Sequence, residues 1–208
     1  MPKEDSPLFA LAAYLPDGAF DSVVAYIVEH KVHLTITRER TTVLGNYRNQ
    51  HSGKNHRISV NGNLNKYSFL ITLLHELAHL LTFEKYSNRV AAHGAQWKHE
   101  YGKILQVFIA KNVFPSDIEL ELLQTVNNPG ASSCAEVPLL RILRKYDAQK
   151  PGVFLLEELP EESLFKIKNG KNYQKGKRIR KRYLCKDISN NKLYLFSPVA
   201  EVELVEGK

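Results

Sequence analysis

His75-Glu76-Leu77-Ala78-His79 lies inside the run Leu70-Ile71-Thr72-Leu73-Leu74 to Leu80-Leu81, and this stretch decides the fold. On an α-helix, positions i and i+4 share a face, so His75 and His79 can offer two imidazoles to one metal ion. Glu76, on the same turn, is placed to accept a proton from water as a general base. Two histidines and a glutamate at this spacing point to zinc-assisted hydrolysis. The flanking leucines leave the helix apolar nearly all round, which predicts a buried helix from about Asn65 to Phe83. Burying two His and a Glu there is costly without a partner, and a metal ion supplies one. A chance match with hydrogen-bonded histidines would give this polar triplet no packing purpose.

A catalytic zinc needs a third protein ligand and an open position. The metzincin continuation would place Gly at 82 and His at 85, whereas the chain has Thr82 and Lys85, so that pattern fails. Two candidates remain: His93, 14 residues past His79, and Glu100, 21 residues past it. His93 is preferred. Gly94 permits a sharp turn, a helix begins at about Ala95, and Trp97 one turn in would pack behind the site. Glu100 is the alternative ligand, and His99 beside it fits a solvated face. Arg89 and Tyr101 are candidate oxyanion stabilisers, against competing roles as a surface cation and a packed aromatic.

His75-Glu76-x-x-His79 followed by His93-Gly94-x-x-Trp97 resembles the SprT-like metallopeptidase family (SprT/Spartan type). Upstream, Thr42-Val43-Leu44-Gly45-Asn46-Tyr47 and Ile58-Ser59-Val60-Asn61 fit as well, so the resemblance covers about residues 8–125. It implies an α+β zincin-like core, one Zn2+ per chain on His75, His79 and His93, Glu76 as catalytic base, and hydrolysis of peptide bonds. A connection to stress responses is also implied. Many members carry a C-terminal zinc ribbon with paired C-x-x-C knuckles. This chain has only Cys134 and Cys185, so no second, structural zinc is expected.

Two separated cysteines are no disulfide framework and suit a reducing cytoplasm. Cys134 is expected in a loop and Cys185 in a half-buried strand. No apolar run reaches the roughly 18 residues that would span a bilayer, so no membrane partner is expected. Leu8–Leu15 follows Glu4 and Asp5 and leads into Pro16-Asp17-Gly18 without a small-residue cleavage site, so it reads as a helix rather than a signal segment.

Asp21 is expected to cap a helix over Ser22–Glu29. Strands are predicted at Val32–Thr37, Thr41–Tyr47 and Arg57–Asn61, then the site helix, a helix over Ala95–Lys111 and a shorter one over Asp117–Thr125. A short three-stranded sheet among helices gives an α+β metallopeptidase domain over residues 1–126. Arg57–Asn61, just before the site helix, is expected to border the cleft as an exposed edge. Such an edge holds an extended peptide by main-chain hydrogen bonds, which selects flexible or unfolded protein as substrate.

Residues 127–152 read as a linker with a short amphipathic helix around Leu139–Tyr146. From Val153 to the C-terminus the pattern is five or six short strands: Val153–Glu157, Leu164–Lys168, Asn172–Lys175, Arg180–Lys186, Lys192–Phe196 and Glu201–Val205. Asn169-Gly170 and Asn190-Asn191 are the expected hairpin turns. Residues 153–208 are thus a small β domain, a metal-free zinc-ribbon or SH3-like remnant. Residues 165–186 hold ten Lys or Arg and no Asp or Glu, interleaved with Phe165, Tyr173 and Tyr183. Lys175, Lys177, Arg178, Arg180, Lys181 and Arg182 form the centre of this cluster and are candidates for DNA or RNA contact. The competing role is a solvated sheet edge kept from pairing by its cations. Net charge is +7 overall, of which residues 1–150 contribute +3 from 17 basic and 14 acidic residues.

Two functions follow. One is a zinc metalloendopeptidase placed on nucleic acid by its basic β domain. The other is a nucleic-acid-binding, stress-related regulatory protein with a non-catalytic zinc site. Glu76 argues for the first, because a purely structural site gains nothing from a buried carboxylate.

Overall fold

The computed structural model describes residues 10–40, 43–51, 53–130, 136–148 and 150–205. Cys134 and the start of the Leu8–Leu15 segment lie outside them. By internal contacts the chain divides into two units, Met1–Asp147 and Ala148–Lys208.

In the first unit, α1 (Phe20–Glu29) precedes β1 (His33–Thr37), β2 (Gly45–Arg48) and β3 (Arg57–Asn61). Ala19, not Asp21, occupies the N-cap of α1, and Asp21 sits in the first turn. There its carboxylate faces the positive end of the helix dipole instead of capping a single N–H. The three strands pair in the order β1-β3-β2, with β3 parallel to β1 and antiparallel to β2. Arg57–Asn61 is therefore the middle strand, and the edges are β1 and β2, a correction to the expected layout. Strand order depends on how the polar 49–56 loop returns the chain, which alternation along one strand does not encode. Thr41 and Thr42 of the expected strand lie outside the described residues, and β2 begins at Gly45, after Val43 and Leu44. The Val43 carbonyl accepts from Asn61 Nδ2 at 3.1 Å, so a side chain takes up that backbone group.

The site helix, α2 (Lys66–Tyr86), is capped by Asn65, whose side chain accepts from the Ser68 N–H at 2.9 Å. Phe69, Leu70, Ile71, Leu73, Leu74, Leu77, Ala78 and Leu80 are all fully buried, so the helix runs through the core as its composition predicts. β2 and β3 pack on one side of it and α3 (Ala95–Ile109) on another. α4 (Ser116–Thr125) and α5 (Val137–Arg144) follow. Leu139 and Leu143 of α5 join the core of the first unit. Asn65 Nδ2 donates to the Leu143 carbonyl at 3.0 Å, tying the end of α5 to the start of α2.

The second unit is a six-stranded antiparallel sheet in the order β4-β9-β5-β6-β7-β8. Its strands are β4 (Val153–Leu155), β5 (Leu164–Lys166), β6 (Asn172–Ile179), β7 (Arg182–Asp187), β8 (Leu193–Phe196) and β9 (Glu201–Leu204). Leu156, Leu159, Phe165, Tyr173, Cys185 and Val202 form its core, with Cys185 fully rather than half buried. β6 continues past Lys175 to Ile179, and the register shifts between Lys175 and Arg178. Gly176 makes that bulge possible, since a Cβ there would run into the Leu184 carbonyl oxygen. Ile179 pairs with Arg182, so Arg180 and Lys181 make the turn, with Arg180 at φ +53°.

Candidate metal centre

α2 carries His75 and His79 one turn apart, and the segment between α2 and α3 brings His93 to them. The Nε2 of His75 lies 3.2 Å from Nε2 of His79 and 3.3 Å from Nε2 of His93. One ligand atom from each of the three histidines falls within 4.8 Å of the others. Two nitrogens on a tetrahedral zinc, each about 2.05 Å from the metal, stand about 3.3 Å apart. The observed spacing matches this, so the three residues fit a metal ion.

The electrostatics agree. Burial, with the neighbouring imidazoles, pulls His75 down to about 3, and burial with His93 pulls His79 down to about 4. His93 is also lowered by burial. All three rings are therefore neutral at neutral pH, the state that donates to a metal. Trp97 is fully buried, with its ring centroid 4.7 Å from those of His75 and His93, so it walls the site from behind. His75 Nδ1 is buried with no hydrogen-bond partner, so among the described residues nothing orients that ring from its far side.

Glu76 lies beneath the free edge of β2. Its carboxylate accepts a hydrogen bond from the Tyr47 backbone N–H, and burial raises its pKa to about 7. Gly45 makes this approach possible. A Cβ on residue 45 would stand 2.5 Å from Glu76 Oε1 and 2.7 Å from Thr72 Cγ2. The edge strand is held down from behind by Arg40 and Asn61. Arg40 Nε donates to Asn61 Oδ1 at 2.7 Å, and Asn61 Nδ2 donates to the Arg40 and Val43 carbonyls at 3.0 and 3.1 Å. Gly45, Tyr47 and Asn61 fall in the stretches that carry the family resemblance, whereas Arg40 has no sequence signal of a site and is brought to Glu76 only by the fold.

Residues 18–118 match the model of the SprT-like family. The chain carries a SprT-like domain. Among curated proteins and solved structures, nothing matches the chain.

Within the SprT-like domain, Glu100 is buried and Lys85 Nζ donates to its Oε2 at 2.6 Å, away from the histidine group. His99 and Arg89 are exposed. Tyr101 is buried, its ring 4.9 Å from Trp97 and 5.5 Å from His75, as a packed aromatic. A cavity of about 1100 Å³ opens over the site, lined by β2 from Gly45 to Arg48, by His75, Glu76, His79 and His93, and by Ser87, Asn88 and Val90 to Ala92. No helix among the described residues is long and apolar enough to cross a membrane.

In the second unit, Lys177, Arg178, Arg180, Lys181 and Arg182 are exposed around the β6–β7 hairpin. Lys175 is not among them. It is buried, with Nζ donating to the Leu159 carbonyl and lying 4.2 Å from the Tyr183 ring centroid. A lysine caged by carbonyls and an aromatic face stabilises the core and has no reach to a phosphate.

Proposed function

We propose that the SprT-like domain is a zinc-dependent endopeptidase that cleaves flexible or unfolded protein. The observation that supports this best is the convergence of three neutral imidazoles beside Glu76, directly beneath an open strand edge. Zinc held by His75, His79 and His93 would supply the Lewis acidity that polarises a peptide carbonyl. Glu76, with a pKa raised to about 7, is matched to accept a proton from water and return it to the leaving nitrogen near neutral pH. β2 offers main-chain hydrogen bonds to an extended peptide, which favours segments without their own secondary structure. The decisive experiment is zinc content together with cleavage of an unfolded protein by wild type and Glu76→Gln. One zinc per chain with cleavage lost in Glu76→Gln is the expected result; equal cleavage by both proteins would sink the reading.

The five exposed cations of the β6–β7 hairpin support a DNA- or RNA-binding role for the second unit. They also favour the other reading, a stress-related nucleic-acid-binding regulator whose zinc site is not catalytic. Under that reading zinc binds, no protein is cleaved with or without single-stranded DNA, and neutralising the hairpin abolishes the activity.

A further inference from the structure

We infer that Arg48 and Arg57 form a subsite for an acidic side chain of the peptide bound along β2, an inference that rests on the peptidase reading. The two arginines are direct register partners across β2 and β3, so their side chains share one face of the sheet. Like charges placed directly opposite one another destabilise a strand pair. Nothing among the described residues offsets this, because neither arginine has an ion-pair partner there. Arg57 Nε is buried and has no hydrogen-bond acceptor among the described residues. A buried guanidinium N–H without an acceptor is costly, and a carboxylate that accepts from its planar fork is the fitting complement.

Both side chains line the same cavity as the histidine triad. Among the described residues of that lining Glu76 is the only carboxylate, and Arg48 and Arg57 supply the cations. β2 is an edge strand, and a peptide that pairs with it alternates its side chains between the two faces. The peptide residue opposite Arg48 falls on the face that Arg48 and Arg57 share. Glutamate or aspartate at that position would satisfy the buried N–H and relieve the repulsion between the two cations. Arg48 is exposed and Arg57 half-buried, which gives Arg48 the reach and Arg57 the stronger, less screened interaction.

The test uses fluorescent extended peptides that differ by Glu, Gln or Lys at each position in turn, bound to full-length Glu76→Gln protein. Anisotropy titrations should show one position where Glu binds roughly tenfold or more tighter than Gln, as a charge-assisted hydrogen bond implies. That preference should shrink at high salt, vanish in Arg48→Gln and Arg57→Gln backgrounds, and turn toward Lys in Arg48→Glu. Because Arg48 is exposed, its variants report even if Arg57→Gln fails to fold. Equal affinity for Glu and Gln peptides at every position, or a preference untouched by the Arg48 variants, would overturn the subsite. Displacement of the acidic peptide by a single-stranded oligonucleotide bound through the same arginines would overturn it too, by assigning the pair to phosphates. The peptidase reading fails separately: wild type that cleaves no peptide, while the variant protein still discriminates charge, leaves the subsite standing alone.

Discussion

A methyl group on Gly45 would stand 2.5 Å from Glu76 Oε1, so the edge strand reaches the proposed base only because residue 45 has no side chain. In Gly45→Ala, either the strand lifts or the carboxylate turns away. Misplacing a catalytic group by about 1 Å costs on the order of 10²-fold in rate. Zinc content should stay at the wild-type level while peptide hydrolysis falls by about that factor. Full activity in Gly45→Ala would show that the carboxylate need not sit where it does.

The burial of Glu76 has a pH signature in metal-free protein. Its pKa is raised from 4.5 to about 7, so the folded state binds the proton more tightly than the unfolded state. This group's contribution to stability therefore falls as pH rises from about 4.5 to 7, by roughly 3 kcal/mol in all. His75 and His79 act in the opposite sense. Their depressed values make stability fall as pH drops below 6.5, in wild type and variant alike. Comparing Glu76→Gln with wild type isolates the carboxyl. With chelator present, urea unfolding should show Glu76→Gln more stable than wild type at pH 8 and nearly equal at pH 5. An advantage of the same size at both values would contradict the assignment.

Removing His93 should weaken zinc by more than the roughly 10- to 100-fold typical of lost supporting contacts around a metal. Glu100→Gln should leave zinc affinity unchanged, because that carboxylate is engaged by Lys85 at 2.6 Å. Competition with a chromophoric chelator measures both. The reverse pattern would make Glu100 the third ligand.

Asn61 is 1% exposed and binds Arg40 Nε and two carbonyls at once. Asn61→Ala leaves those part-buried groups unpartnered and should cost about 1–3 kcal/mol by denaturant unfolding. Hydrolysis should fall with it, since the same groups hold the chain that leads into Gly45. A cost below about 0.5 kcal/mol would mean that water replaces the amide freely.

For the hairpin, neutralising Lys177, Arg178, Arg180 and Arg182 to Gln should lower the salt dependence of single-stranded DNA binding by about 0.7 per lost phosphate contact. Lys175→Met should leave that slope unchanged, because Lys175 is buried under Leu159 and Tyr183. Equal losses from Lys175→Met and from the exposed set would place the binding surface elsewhere.

The α2 helix and its two histidines were legible because helical spacing is local: residues four apart share a face whatever the rest of the chain does. His93 was legible from Trp97, which packs behind the site as its size and apolarity suggest, whereas Gly94 is the N-cap of α3 at an ordinary φ of −73° and needs no glycine freedom. The turn at Arg180-Lys181 was not. It uses neither Gly nor Asn, and Arg180 adopts φ +53° because the Gly176 bulge and the pairing around it dictate the register. Lys175 looked like its cationic neighbours, and only the strand pairing shows that it points inward.

What the amino-acid order alone determined is the local chemistry: a leucine-rich helix with His75, Glu76 and His79 on adjoining positions, a third histidine within reach, and a basic segment downstream. Periodicity and residue type encode such features at short range. Only the tertiary structure decided that β2 rather than β3 is a free edge, that Gly45 admits Glu76, that Glu100 belongs to Lys85, and that Arg48 faces Arg57 across the sheet. Each of these is a meeting of residues distant in the chain. Their partners are set by strand order and register, which arise from burying the whole core at once and from no single stretch of sequence.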